Sequence, residues 1–397
     1  MRPPQLGHRS PPMLVDDALR EIFLLVPPDD PATLARASAI CTAWRSIISD
    51  ADFGREYRAF HGAAPPVLSF VYNYFPYDTS HFISTTASFR RSPARHDRHD
   101  WCALDSRHGL VLFHTHHDSR EIRDLAVCDL VTHDRWAVPA HPSPEWSGVV
   151  QYGWKAAVLC VRVDRCNCSE GAFRVALVGS TGTAIFAAVY SSEAGEWSDT
   201  VSTEVYMGFS HTWRSAIVGN KLYLPSGGSS KIAEYDMGAQ KLAVIRGPLP
   251  LSDLLVGAED GMLLLTDVFD TVLCLWSMSM EPGSDGAARG RVIDLEPLLP
   301  PLAFCSPLSV VGFAEGAGGG AIFLISREAD ALFTVELSSC QTKKIHGDVS
   351  SEKVMPDMSF YTGSGTHYTS LVSQCDIWML ISLVSCVILE FVQLTNC

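Results

Sequence analysis

Six histidines fall close together in the chain: His96, His99, His108, His114, His116 and His117. Imidazole is a common metal ligand, and such a cluster could in principle hold a zinc ion. The spacing argues otherwise. No pair stands four apart in a helical pattern, and Arg90, Arg91, Arg95 and Arg98 crowd the same stretch, so a solvated loop is expected. Cys166-Asn167-Cys168 places one residue between thiols where zinc sites usually place two, and no second pair lies nearby. Gly316-Ala317-Gly318-Gly319-Gly320 lacks the lysine and the serine or threonine of a phosphate loop. Asp267 and Asp270 flank Val268-Phe269 and read as a turn between strands. No nucleophile elbow, paired-carboxylate motif or metalloprotease helix stands out. The expectation is therefore a non-enzymatic chain with no catalytic, cofactor-binding or metal residues.

The elements behind these residues divide into two kinds. Met13–Gly62 is dense in helical pattern. Asp16 can cap a helix, with Asp17 and Glu21 as negative charge in its first turns. Leu19, Ile22, Phe23 and Val26 then share one face, and Pro27-Pro28 ends the helix. Asp30-Pro31 reads as an N-cap followed by proline at the first helical position, opening a helix with Leu34, Ala37 and Ile40. Thr42 can restart a third, carrying Trp44, Ile47 and Ile48. Asp52 can cap a fourth, with Phe53, Tyr57 and Phe60 on one face and Gly62 as its stop. Fifty residues make a very small core, and the apolar positions outnumber what one face must bury. Either a partner protein completes this surface, or the helices form a cap on the domain behind them.

The motif Leu14-x-Asp16-Asp17-x-Leu19-x-Glu21-Ile22, followed by Val26-Pro27-Pro28, Leu34-Ala35-Arg36-Ala37, Ile40-Cys41-x-x-Trp44-Arg45-x-x-Ile48-Ser49-Asp50 and Phe53, resembles the F-box. Val15 stands where that family usually has proline, and Thr42 where lysine is common. The resemblance implies docking onto the Skp-type adaptor of a cullin ubiquitin ligase. It implies docking or docking-support roles for Leu14, Ile22, Leu25, Pro27, Leu34, Cys41 and Trp44. Trp44 suits the core of the helical unit equally well.

Composition narrows the partners. The chain of 397 residues has 44 acidic against 30 basic side chains, a net charge of −14. That argues against nucleic acid, which needs a basic face, and against docking on anionic membranes. Hydrophobic content of 47% supports a large core. Twelve scattered cysteines behind a proline-rich, non-apolar opening read as reduced thiols in a cytoplasmic or nuclear protein.

From Val67 the pattern changes to short apolar runs between Gly, Pro, Asp and Ser, among them Gly109–Phe113, Leu125–Asp129, Phe173–Val178, Met262–Thr266 and Ala321–Ile325. One unit recurs at irregular spacing: Val127–Trp136, Ala188–Trp197, Ile232–Lys241 and Leu332–Lys343. A period of about 40–60 residues is what propeller blades give, and each copy fits the two outer strands of a blade. A further unit around Met262–Asp294 is less regular. Ser106–Phe113, Cys128-Asp129 through Pro139, and Val189–Glu193 through Trp197 resemble the propeller-like region that follows the F-box in a family of grass F-box proteins.

The expected fold class is α+β multidomain: a small N-terminal helical F-box, then an all-β propeller-like domain of six or seven blades. Closure of the ring is not readable. The expected boundaries are 1–12 tail, 13–62 helical domain, 63–66 linker, 67–365 substrate-binding β-domain and 366–397 an atypical apolar tail. In that tail Ile377–Leu389 is shorter than a full membrane span and lacks flanking lysine or arginine. A membrane anchor is thus disfavoured against a buried end or an atypical chain end.

The resulting functional expectation is a substrate-recognition subunit of a Skp–cullin–F-box ubiquitin ligase, with the recruited protein unidentified. The alternatives are a propeller enzyme, which needs convergent ionisable groups on inner strands, and a ligand- or glycan-binding module. The latter would expose Trp146, Trp154 or Trp213 in loops.

Overall fold

The computed structural model describes residues 16–62, 67–74, 79–84, 101–114, 125–129, 134–143, 146, 153–160, 172–209, 215–226, 229–247, 255–259, 261–279, 289–314, 320–345 and 354–358. The chain separates into a helical unit and a β-unit, with the break after His61.

Four helices make up the first: α1 (Asp16–Leu24), α2 (Pro31–Ile40), α3 (Thr42–Ile48) and α4 (Ala51–His61). Their core is Leu19, Phe23, Leu34, Ala37, Ile48, Phe53 and Tyr57, all buried. Three local expectations are corrected. First, α1 stops at Leu24, before the prolines. Leu25 and Val26 donate to the carbonyls of Ile22 and Phe23 in a tightened last turn, so Val26 lies beyond the helix. Second, Asp30 precedes Pro31 as expected but makes no side-chain cap to the backbone; its Oδ2 accepts the Thr33 hydroxyl at 2.7 Å instead. Third, Asp50 and not Asp52 caps α4, accepting the amides of Asp52 and Phe53 at 2.8 and 3.0 Å. Asp52 instead pairs with Arg55. Gly62 ends α4 at φ +97°, a left-handed geometry that costs glycine little.

The β-unit is a six-bladed propeller, and it is closed. In chain order its strands are β1 (Val67–Tyr74), β2 (Thr79–Ser84), β3 (Cys102–Arg107), β4 (Leu110–His114), β5 (Leu125–Asp129), β6 (Arg135–Val138), β7 (Trp154–Cys160), β8 (Phe173–Ser180), β9 (Ala184–Ser191), β10 (Glu196–Trp197) and β11 (Val201–Glu204). They continue as β12 (Ala216–Val218), β13 (Lys221–Pro225), β14 (Lys231–Asp236), β15 (Lys241–Arg246), β16 (Leu255–Glu259), β17 (Met262–Phe269), β18 (Val272–Met278) and β19 (Arg289–Asp294). The last are β20 (Ser309–Ala314), β21 (Ala321–Ser326), β22 (Ala331–Glu336), β23 (Thr342–Ile345) and β24 (Val354–Met358).

Five sheets are meanders of consecutive antiparallel strands: β3–β6, β7–β10, β12–β15, β16–β19 and β20–β23, with β11 continuing the edge of the second beside β9. The four recurring sequence units are the third and outermost strands of four of these, β5–β6, β9–β10, β14–β15 and β22–β23. The sixth sheet has the order β2-β1-β24. There the last described strand pairs with the first, Phe70 opposite Pro356 and Tyr72 opposite Val354. This closure satisfies backbone groups that an open ring would leave on a bare edge.

Strands in the middle of the blades, such as β4, β5, β8 and β21, are buried on both faces, which is why they read as continuous apolar runs, while outermost strands such as β6 and β23 are partly exposed. Six apolar seams lie between neighbouring blades. In β24, Val354 enters the seam with β20–β22 while Met355 enters the seam with β3–β5. Phe70 and Val71 in β1 divide the same way. Where β20 passes β24, a Cβ on Gly312 would stand 2.5 Å from the Val354 carbonyl oxygen, so only glycine fits there without a backbone shift. The Asn73 side chain extends the closing sheet toward β3, donating to and accepting from the Ala103 backbone at 2.8 and 2.9 Å.

Candidate functional site

The helical unit sorts the residues singled out by sequence into accessible and interior. Leu14 lies outside the described residues. Leu34 is fully buried, with 0% exposure. Its contribution is to the core of α2. Trp44 is half-buried, its ring edge-on to Phe23 with centroids 5.3 Å apart, so it ties α3 to α1. Ile22 is half-buried, while Leu25, 49% exposed, and Pro27 face solvent. Cys41 is exposed at the N-cap of α3, where its Sγ accepts the Trp44 amide at 3.5 Å.

Leu25 and Pro27 thus belong to one accessible strip at the exit of α1, anchored from beneath. The Tyr57 hydroxyl donates to the Val26 carbonyl at 2.8 Å, and His61 Nε2 donates to the Leu24 carbonyl at 2.7 Å. Burial raises the Tyr57 phenol pKa, with the charges of Asp29 and Asp30 adding to the effect, so the hydroxyl stays protonated and able to donate. Arg20 braces α1 on α4, donating from Nε to Glu56 at 2.7 Å and standing 5.7 Å over the Phe53 ring.

One aromatic on the face that the spacing defines is not covered. Phe60 follows Phe53 and Tyr57 at helical intervals, yet it is 58% exposed. In the last turn of α4 it is His61 that turns to α1, and the Phe60 ring rests edge-on against the His61 ring at 4.9 Å. A helical period identifies a face, and it does not say how far along the helix that face is covered.

The β-unit offers no comparable strip at the positions considered for ligands. Trp146 and Trp154 are interior, at 4% and 2% exposure, and pack in the seam between β3–β6 and β7–β9. They are propeller core and not an exposed binding platform. Trp213, His96, His99, His116, His117, Cys166, Cys168 and Gly316 to Gly319 lie outside the described residues, as does Ile377–Leu389. His108 sits in the turn between β3 and β4 at φ +52°. His114 is buried edge-on to Trp154, 5.4 Å between centroids. Asp267, Val268 and Phe269 are the end of β17, paired with β18, and only Asp270, exposed at φ +54°, enters the turn, so the expected turn is shorter than Asp267–Asp270 and the buried Asp267 is a strand residue. Among the described residues no three His, Cys, Asp or Glu side chains gather as a metal site, and no helix is long and apolar enough to cross a membrane.

Sequence reasoning also passed over Asp105-Ser106-Arg107 on the inner strand β3. Arg107 Nε pairs with Asp105 Oδ2 at 2.9 Å, both buried. The same carboxylate accepts the Val158 amide of β7 at 3.1 Å. Arg107 also donates to the Ser215 carbonyl at the entry to β12, and Ser106 to the Pro356 carbonyl of β24 at 3.1 Å. These ionisable groups are the kind an enzyme would need on inner strands, but here they fasten one blade to three others. Two opposite charges two residues apart in an otherwise apolar strand were the available signal.

Solved structures similar to the chain share low identity. They include the extracellular domain of a one-component system from B. thetaiotaomicron, with 16% identity, 62% of this chain and 27% of that chain covered, and a TM-score of 0.33. A nidogen/laminin complex gives 8% identity, 74% and 98% coverage and 0.42. An α-L-arabinanase of Penicillium chrysogenum complexed with arabinobiose gives 12% identity, 66% and 82% coverage and 0.37. The chain therefore spans about a quarter of the first of these. No curated protein matches the chain. Residues 12–56 match the F-box domain family, so an N-terminal F-box precedes the six-bladed propeller.

Proposed function

We propose that the chain is the substrate-recognition subunit of a Skp–cullin–F-box ubiquitin ligase. The observation that carries this reading is the accessible apolar strip at Leu25 and Pro27, on a helical unit that matches the F-box and whose own core is already complete without it. Ile22, Leu25, Pro27 and Cys41 contact the Skp-type adaptor. Leu34 and Trp44 support them from within, and the F-box pattern assigns Leu14 a docking role as well. The β-propeller holds the recruited protein, and the chain itself performs no chemistry. Its effect is proximity: tethering raises the effective concentration of substrate lysines near the transferred ubiquitin. The motifs around Ser106–Phe113, Trp136 and Trp197 support kinship with grass F-box proteins carrying an F-box-associated propeller. Scattered cysteines support residence in the cytoplasm or nucleus.

The test is co-purification of the full chain with a Skp-type adaptor and cullin. The parent chain should retain the adaptor. Leu25→Asp should lose it while the thermal midpoint stays within experimental error, because an exposed side chain carries little stability. A folded parent chain that captures no adaptor would sink the proposal.

A further inference from the structure

Each blade is entered on its inner strand and left on its outer one, so its connections fall on opposite faces of the ring. Turns from first to second and from third to fourth strands share one face. Second-to-third turns and the links between blades share the other. On the first face the described turns are short and mostly polar, as at His108-Gly109, Gly219-Asn220 and Met237–Gln240. The second face carries exposed apolar side chains: Tyr206, at 71% exposure, and Leu302 in links between blades, and Phe269 at a second-to-third turn.

The sharpest feature on that face lies where the sheet β7–β11 meets β12–β15. Lys231 opens β14 and Arg246 closes β15, and the two are directly opposite across the strand pair. Like charges so placed destabilise a sheet. Among the described residues neither has a carboxylate partner, although the chain has 44 acidic side chains. Lys231 Nζ donates to the Tyr206 carbonyl at 3.0 Å, and Arg246 is exposed. Below them on the same strand faces, Ala233, Tyr235, Leu242 and Val244 pack into the seam. Two cations and an exposed tyrosine therefore rim the mouth of an apolar seam.

We infer that this rim recognises an acidic peptide segment of the recruited protein, its carboxylates set between Lys231 and Arg246 and an apolar side chain laid beside Tyr206. An incoming carboxylate removes a repulsion that no described side chain compensates, and supplies the charge complementary to the two cations of the rim. The inference rests on the adaptor reading for its biological sense, because it names what the propeller would present to the ligase.

Fluorescence anisotropy on the full chain tests it with three labelled twelve-residue peptides: three repeats of Glu-Leu-Glu-Gly, a twin with glutamine for glutamate, and a twin with phosphoserine for glutamate. The glutamate peptide should bind, weaken as salt rises, and lose about tenfold or more in affinity with Lys231→Gln/Arg246→Gln. The glutamine twin should not bind. Arg246→Gln alone removes an exposed side chain and should weaken binding about threefold, which keeps the test readable if the double variant fails to fold. Equal binding of the glutamine twin, unaltered binding by the folded variants, binding of the phosphoserine twin only, or no binding at all would each overturn the inference. Adaptor capture, read in parallel, should be unchanged in both variants. Its loss in the parent chain speaks against the adaptor reading, and a peptide failure with capture intact speaks against the rim alone.

Discussion

The helical unit and the closing sheet of the propeller hold together by opposite means. In the helices the caps and turns join residues close in sequence, Asp50 to the next turn, Cys41 to Trp44 and Phe53 to Tyr57, and the ties between helices, Tyr57 to Val26 and His61 to Leu24, stay within the same short segment. In the closing sheet β1 meets β24 from the other end of the β-unit, and no local preference specifies that meeting. The first kind of structure nucleates cheaply but stays small and leaves apolar surface uncovered. The second pays a large loop-closure entropy and returns a ring closed between its first and last strands. A surface used for docking is readily built on the former, and a rigid presenting platform on the latter.

The largest expected effect breaks the non-local side. Met355→Asp buries an unpaired carboxylate in the seam between β24 and β3–β5, and should cost more than about 4 kcal/mol. Denaturant titration should show the β-unit's transition shifted or lost. A shift below about 1 kcal/mol would mean that closure by β24 contributes little.

Next is Arg107→Met, which strands the buried Asp105 carboxylate and should cost about 3–5 kcal/mol in the same assay. A near-neutral result would show that the inter-blade bonds around β3 are incidental to the ring.

On the local side, Leu34→Ala opens a cavity in a core of only a few side chains and should cost about 2–5 kcal/mol. For so small a unit that suffices to unfold it. Helical circular dichroism and adaptor capture should fall together while the β-transition stays put. If both regions melted together, their independence would be refuted.

The smallest effect concerns Asp50. Asp50→Ala should cost about 1 kcal/mol of helical stability, and Asp52→Ala only a few tenths. Asp50 is held below the ordinary carboxylate range, chiefly by accepting the Phe53 amide, with the Asp52 amide and Arg20 adding. A group whose folded pKa is depressed stabilises the fold where it is ionised. Its contribution is therefore complete above about pH 4, the ordinary carboxylate value, and fades as pH falls through the lower folded pKa. Comparing acid titrations of the parent and Asp50→Ala checks the sign: the parent should lose its advantage on acidification.

How legible this was varies with range. The helices, the proline at the start of α2 and the stop at Gly62 follow from local chemistry and were readable. So were the third and fourth strands of four blades, because tight turns punctuate them. Asp50 was missed in favour of Asp52 because two aspartates two apart are equivalent as sequence, and the start of the helix decides between them. The exposure of Phe60 was not readable from its spacing because coverage along a helix depends on where α1 ends. The strand β24 was missed because Val-Met-Pro-Asp-Met is unremarkable until β1 is beside it.

Taken alone, the sequence determined the helical motif at the N-terminus, the all-β remainder and the acidic character that disfavours nucleic acid. Those properties depend on periodicity, capping and composition, which are local or summed over the chain. Tertiary structure alone decided the blade count, the closure through β24, the interior placement of Trp146 and Trp154, and the pairing of Lys231 with Arg246 at an exposed rim. Each of these depends on which distant strands become neighbours, and an apolar run buried on both faces carries no mark of which neighbour it will have.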